Sequence, residues 1–160
     1  MVAAGTPFSC RHLSALGGNA CVQGGRIRIA ARPGVGIAAC SGVPRDARLV
    51  MRVLPERDCA GFGLRLRAAD SFDSGYGLHL APCEGVARLN DQWILGVDGL
   101  DQPFGLEIVL RDDIIDVCID GRRTLIDRCP ERHGDRVLLY GQDADVTFEV
   151  MEIATLPAQR

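Results

Sequence analysis

Acid–base, metal and nucleophile chemistry all have candidate residues in this chain, and their spacing sets what each could do. There are 21 Asp and Glu residues, so some carboxylates will meet the separation of about 5 to 9.5 Å across which glycosidases work. Glu107 and Asp116 are the pair to inspect, because alternation places both on the outer face of one hairpin. A solvated face beside Arg65, Arg67, Arg111 and Arg123 is the competing reading. Asp112, Asp113 and Asp116 offer hard oxygen ligands of the kind Ca²⁺ takes. Their spacing lacks the DxDxDG rhythm of a dedicated loop, and turn formation is the default role. His12, His79 and His133 are scattered, and no GxSxG elbow positions a nucleophile for any of them. Each is expected to be a surface or satisfied polar residue.

Cys10, Cys21, Cys40, Cys59, Cys83, Cys118 and Cys129 number seven, at irregular spacing and with no CxxC pair. Neither a zinc site nor a complete disulfide framework is indicated. Cys118 falls on the outer face of its strand with no neighbouring cation to depress its pKa, which suits a structural thiol. All 18 basic residues are arginine, which removes lysine Schiff-base chemistry.

Sugar recognition is the remaining chemistry. The C–H face of a sugar packs on an aromatic ring while amides and carboxylates take its hydroxyls. Aromatic residues make up 5% of the chain, and the candidates are Trp93, Tyr76, Phe72 and Tyr140. Trp93 lies in NDQWILG beside Asn90, Asp91 and Gln92, where a ring and several polar side chains coincide. The competing role for a lone Trp is in the core. Phe72 and Tyr76 lie in the loop DSFDSGYG, whose composition suits an exposed site as well as a plain connection.

The elements that must position these residues read as strands. In FGLEIVLRDDIIDVCIDGRRTLIDRC, residues 104–129, Phe104, Leu106, Ile108 and Leu110 alternate with Gly105, Glu107, Val109 and Arg111. Asp112 and Asp113 make a turn. Ile115, Val117 and Ile119 then face inward, and Asp120-Gly121 is a hairpin signal because a type I′ turn needs positive φ. Further β-like runs cover 26–30, 35–40, 47–54, 61–68, 75–81, 85–90, 136–141 and 145–153, most bounded by Gly, Pro, Asp or Ser. The run 93–97 fits either a short strand or a loop. Within 61–68, Phe62, Leu64 and Leu66 oppose Gly63, Arg65 and Arg67, the one-sided pattern of sheets that keep a wet face. The expected fold is all-β: a two-sheet antiparallel β-sandwich over 26–153, preceded by an irregular lead-in over 1–25 and followed by a tail over 154–160.

With 160 residues, a single domain buries enough surface to fold without staples. No apolar run approaches the roughly 20 residues of a membrane span. A net charge of −3 gives no basic field for nucleic acid. The amino terminus lacks a basic segment followed by an apolar core, so the expectation is a reduced, cytoplasmic protein.

Three segments together, GFGLRLRAADSFDSGYGLHLAP, FGLEIVLRDDIIDVCIDGRRTLIDRC and VTFEVMEI, resemble the carboxy-terminal β-sandwich of glycoside hydrolase family 32, the invertase, levanase and fructosidase group. The family's middle segment reads as a strand, an Asp-containing turn, a "vEvFvNdG" strand and an Arg-bearing strand. Gly121 and Arg128 match, while Asp116, Cys118 and Asp120 stand where the family has Glu, Phe and Asn. The resemblance implies a concanavalin A-like jelly roll. It also implies a non-catalytic accessory or carbohydrate-recognition module for fructan or sucrose-like sugars, packed against a catalytic propeller or another protomer. The propeller's Asn-Asp-Pro, Arg-Asp-Pro and Glu-Cys motifs are absent, so the chain in isolation is not expected to be that enzyme. Two alternatives stay open: a free-standing lectin-like binder, and a small glycoside hydrolase with its carboxylates on the sandwich.

Overall fold

The structure, a computed structural model, describes residues 13–131 and 134–158. His12, His133 and Cys10 lie outside the described residues. Twelve strands follow one another: β1 (Leu13–Ala15), β2 (Ala20–Gln23), β3 (Arg26–Cys40), β4 (Ala47–Pro55), β5 (Gly61–Ala68), β6 (Tyr76–Ala81), β7 (Val86–Leu89), β8 (Gln92–Ile94), β9 (Phe104–Arg111), β10 (Ile114–Ile119), β11 (Arg123–Arg128) and β12 (Arg136–Thr155). All pairings are antiparallel, in the order β11-β10-β9-β4-β12-β5-β6-β7-β8, with β3 along β12 and β1 and β2 along β3. Among the described residues no helix is long and apolar enough to cross a membrane.

The path becomes a sandwich because β12 and β3 serve both layers. The carboxy-terminal half of β12 pairs β4 through Val146↔Pro55 to Thr155↔Ala47, and its amino-terminal half pairs β5 through Arg136↔Ala68 to Gln142↔Gly61. Between the halves, at Gln142/Ala144, the register against β3 slips, and Asp143 takes φ +45°. A bulge bends and twists a strand, and this one folds one half of the sheet over the other. The inward side chains of both layers form a single core that includes Ile27, Leu49, Phe62, Leu64, Leu78, Leu106, Val117 and Phe148. Phe62 of β5 meets Phe104 of β9 at 6.2 Å and Phe148 of β12 at 6.3 Å between ring centroids, joining the two layers.

Several expectations are refined. The runs 26–30 and 35–40 are one strand, and so are 136–141 and 145–153. Bulges, rather than loops, lie between their halves. The lead-in is not irregular throughout: β1 and β2 pair with β3 through Leu13↔Cys40 and Ala20↔Ile29. Their short, Gly-broken sequences carry too little alternation to announce a strand. Arg67 does not sit on the wet face. It is 3% exposed, because the register slip between Arg136/Leu138 and its φ of +52° interrupt the alternation at the end of β5.

Candidate functional site

One row of residues crosses the outer face of the β5–β8 layer. Successive cross-strand pairs are Trp93↔Arg88, Arg88↔His79, His79↔Gly63, Gly63↔Tyr140 and Tyr140↔Ile37. From β8 to β12 the row spans four strand spacings, about 19 Å. Directly opposed residues share a face, so Trp93, Arg88, His79 and Tyr140 all stand on this outer surface.

Glycine makes the surface flat. A Cβ at Gly61 would lie 2.5 Å from the His79 ring, and one at Gly77 would lie 3.0 Å from Arg65 Nη1. The missing side chains let the imidazole and the guanidinium lie across the sheet instead of standing up from it. His79 Nδ1 and the Tyr140 hydroxyl are 2.7 Å apart in a hydrogen bond, and their rings stack at 6.0 Å with 12° between planes. Phe72 packs edge-on against Tyr140 at 5.3 Å, and Arg65 lies 5.4 Å over the Phe72 ring. At the other end, the Arg88 guanidinium lies 5.0 Å over Trp93, whose exposure is 57%.

Electrostatics follow from this packing. Burial, then the nearby Arg88 and Arg65, hold His79 below the ordinary imidazole value, and Glu84 offsets them in part. Burial pushes the Tyr140 phenol up to about 12, against the pull of Arg65 and Arg88. At neutral pH the pair is uncharged, and both arginine fields reach it.

Beside the row, a cleft of about 490 Å³ is lined by Tyr76, Arg88, Asn90, Asp91, Asp127, Arg128, Pro130 and Glu131. The structure brings Tyr76, Asn90 and Asp91 together, with Trp93 reached through Arg88. Asn90 takes φ +53° in the β7–β8 turn. Its amide nitrogen donates to Asp127 Oδ2 at 2.9 Å, and its oxygen accepts from the Gly77 N–H at 3.2 Å. Gln92 Nε2 donates to Asp127 Oδ1 at 3.4 Å. The Tyr76 hydroxyl accepts from the Glu131 N–H at 2.9 Å. Asn90 therefore shapes the cleft wall, and Gln92, outside the lining, braces Asp127. Phe72 is not in this cleft but belongs to the sheet row.

The other candidates are separated. Glu107 stands opposite Cys118, and Asp116 opposite Val109, so the two carboxylates are diagonal neighbours. Glu107 is held by Arg48 Nε at 2.9 Å, and the same arginine reaches Glu152 at 3.2 Å. Glu107 is thus ion-paired, with Asp116 diagonally beside it on the same face. Asp112, with φ +48°, makes the turn before β10, its N–H donating to Asp46 Oδ1 at 2.9 Å. Asp113 lies 3.8 Å from Arg45. Among the described residues no three His, Cys, Asp or Glu side chains, Asp112, Asp113 and Asp116 included, converge to hold a metal ion.

Arg88, His79, Arg65 and Asp127 are the site residues that sequence reasoning missed. The available signal was Gly61, Gly63 and Gly77 on the outward positions of neighbouring strands, a bare floor that larger side chains from adjacent strands could cross.

Two antiparallel layers sharing long bent strands make a jelly-roll β-sandwich. No protein-family model matches the chain, and no curated protein shows a significant match. Solved structures share the fold. The carbohydrate-binding module CBM66 from Bacillus subtilis superposes with a TM-score of 0.69 at 12% identity, covering 87% of this chain and 93% of that one. A galectin-like protein of unknown function from Bacillus subtilis gives 0.62 at 9% identity, covering 99% and 100%. Galectin LEC-6 of Caenorhabditis elegans gives 0.54 at 18% identity, covering 91% and 99%.

Proposed function

We propose that this protein is a non-catalytic carbohydrate-recognition β-sandwich that binds saccharide along the β5–β8 outer face and the adjoining cleft. The observation that carries the reading is the exposed Trp93 ring, backed by Arg88 at the rim of a cleft whose lining supplies phenol, amide and carboxylate groups. An aromatic plane next to convergent polar groups is the arrangement that holds a sugar's apolar face and its hydroxyls at once. Likeness in fold to a carbohydrate-binding module and to a galectin supports the reading. The resemblance to glycoside hydrolase family 32 modules makes fructose-containing sugars natural members of a ligand panel. It also makes a catalytic propeller or another protomer the neighbour such a module would pack against.

The test is a thermal-shift panel of sucrose, inulin and levan oligosaccharides, glucose, galactose and uronic-acid oligosaccharides. A ligand at about 50 times its Kd adds about 2.3 kcal/mol, a rise of roughly 5 to 9 °C for a domain of this size. A shift with one class, abolished in Trp93→Ala, is the expected result. A flat panel overturns carbohydrate recognition.

A further inference from the structure

Two arginines on this outer face, Arg65 and Arg88, stand outside every ion pair of the described residues. Arg65 Nε is covered and has no hydrogen-bond partner. Other arginines have carboxylate partners: Arg48 holds two glutamates, and Arg123 holds Asp98 at 2.8 Å. A cation kept over an aromatic face without a counter-charge is poised for an anion from outside.

Position gives that anion an address. Arg88 is cross-strand to His79, and Arg65 is two residues along β5 from Gly63, the partner of His79 on its other side. The two guanidiniums therefore flank the neutral His79–Tyr140 pair, and the fields of both reach it. Asp91, Asp127 and Glu131 line the cleft with Arg88 at its rim, Glu84 acts on His79 from the neighbouring turn, and Arg65 lies outside the cleft lining. Hydroxyls suit the cleft and a negative group suits the row.

We infer that the saccharide is acidic, with a sugar carboxylate held between Arg65 and Arg88 over the His79–Tyr140 pair while the chain continues past Trp93. The inference rests on the carbohydrate reading and names the ligand class of that same site. A carboxylate is the matching anion because its two oxygens meet the planar fork of a guanidinium in a bidentate pair.

Matched pairs test it: oligogalacturonate, oligoalginate and hyaluronan fragments, each beside its carboxyl-reduced, neutral counterpart, titrated calorimetrically together with fructo-oligosaccharides. The expected result is that an acidic member binds at least tenfold tighter than its reduced form, and that its binding weakens from 50 to 300 mM salt, as charge pairing requires. Arg88→Gln, at an exposed position, is expected to lose about tenfold or more of that affinity. Gly77→Ala, which crowds Arg65, is expected to reproduce the loss without removing a charge. A reduced or fructose-containing sugar that binds as tightly as any acidic one overturns the acidic ligand and leaves carbohydrate recognition standing. Absence of binding by every sugar, charged or neutral, overturns both.

Discussion

Folding has placed titratable groups at two positions where charge is costly, and each gives a pH or stability signature. His79 sits among Arg65 of β5, Arg88 of β7, Glu84 of the following turn and Tyr140 of β12, with its value held below the ordinary 6.5. An imidazole that resists protonation when folded binds fewer protons than in the unfolded chain. Its contribution is therefore intact above the unfolded value and is lost as pH falls through and below about 6.5. Tyr140 works at the other end: folded, it keeps its proton to about 12, against an ordinary value of 10. Stability then falls as pH rises from 10 toward 12. Melting temperature recorded across pH 5 to 7 should drop on the acid side in the wild type, and the slope should flatten in His79→Gln. An unchanged slope in that variant would show that the imidazole is not in this environment.

Arg67 is a third such residue. It is 3% exposed, donates to the Arg45 carbonyl at 3.0 Å, and leaves Nε and one Nη without a hydrogen-bond partner. Desolvation lowers its pKa, and Arg45 adds to the effect. A buried cation with unmet donors contributes little, and apolar residues of similar length replace such groups without loss. Arg67→Met should leave chemical-denaturation stability unchanged or higher. A loss above about 2 kcal/mol would mean that Arg67 has a compensating partner.

Among the elements, the hairpins were the most legible from residue types alone. Asp120 and Gly121 take φ of +53° and +67°, the type I′ geometry that an Asp-Gly pair signals. Nothing lies within 4 Å of a Cβ built at Gly121, so a substitution there meets only backbone strain. Gly121→Ala should cost about 1 kcal/mol in urea unfolding, and no measurable cost would contradict the turn assignment. Less legible were the long strands β3 and β12. The gaps after residues 30 and 141 read as chain breaks, yet each strand continues across its gap and the β3–β12 pairing resumes on the far side of a register shift, because β bulges use the same residue types as turns. β5 misled for a related reason. Phe62, Leu64 and Leu66 announce the inner face correctly, but a bulge at its end turns Arg67 inward, and strict alternation cannot foresee a bulge.

For the whole molecule, a two-layer sandwich was readable because core-facing alternation repeats in nearly every strand. Phe62 ties the layers through both Phe104 and Phe148 and is fully buried. Phe62→Ala should cost about 3 to 5 kcal/mol in equilibrium unfolding, and a cost below about 1 kcal/mol would mean the layers do not meet there. The site was only half readable. Asn90, Asp91 and Trp93 are near one another in sequence and stay together in space, and the β6–β7 pairing brings Tyr76 to them. Arg65, His79, Arg88 and Tyr140 come from four strands, and only the sheet register aligns them.

That alignment is the account's central claim, and the single tryptophan reads it directly. Trp93 is 57% exposed with Arg88 over its ring, so a ligand lying along the row must change its surroundings. A fluorescence titration with the saccharide panel should give a saturable, blue-shifted change for the sugar class that raises the melting temperature. Thermal stabilisation by a sugar with no change in Trp93 emission would place the ligand elsewhere and contradict the account.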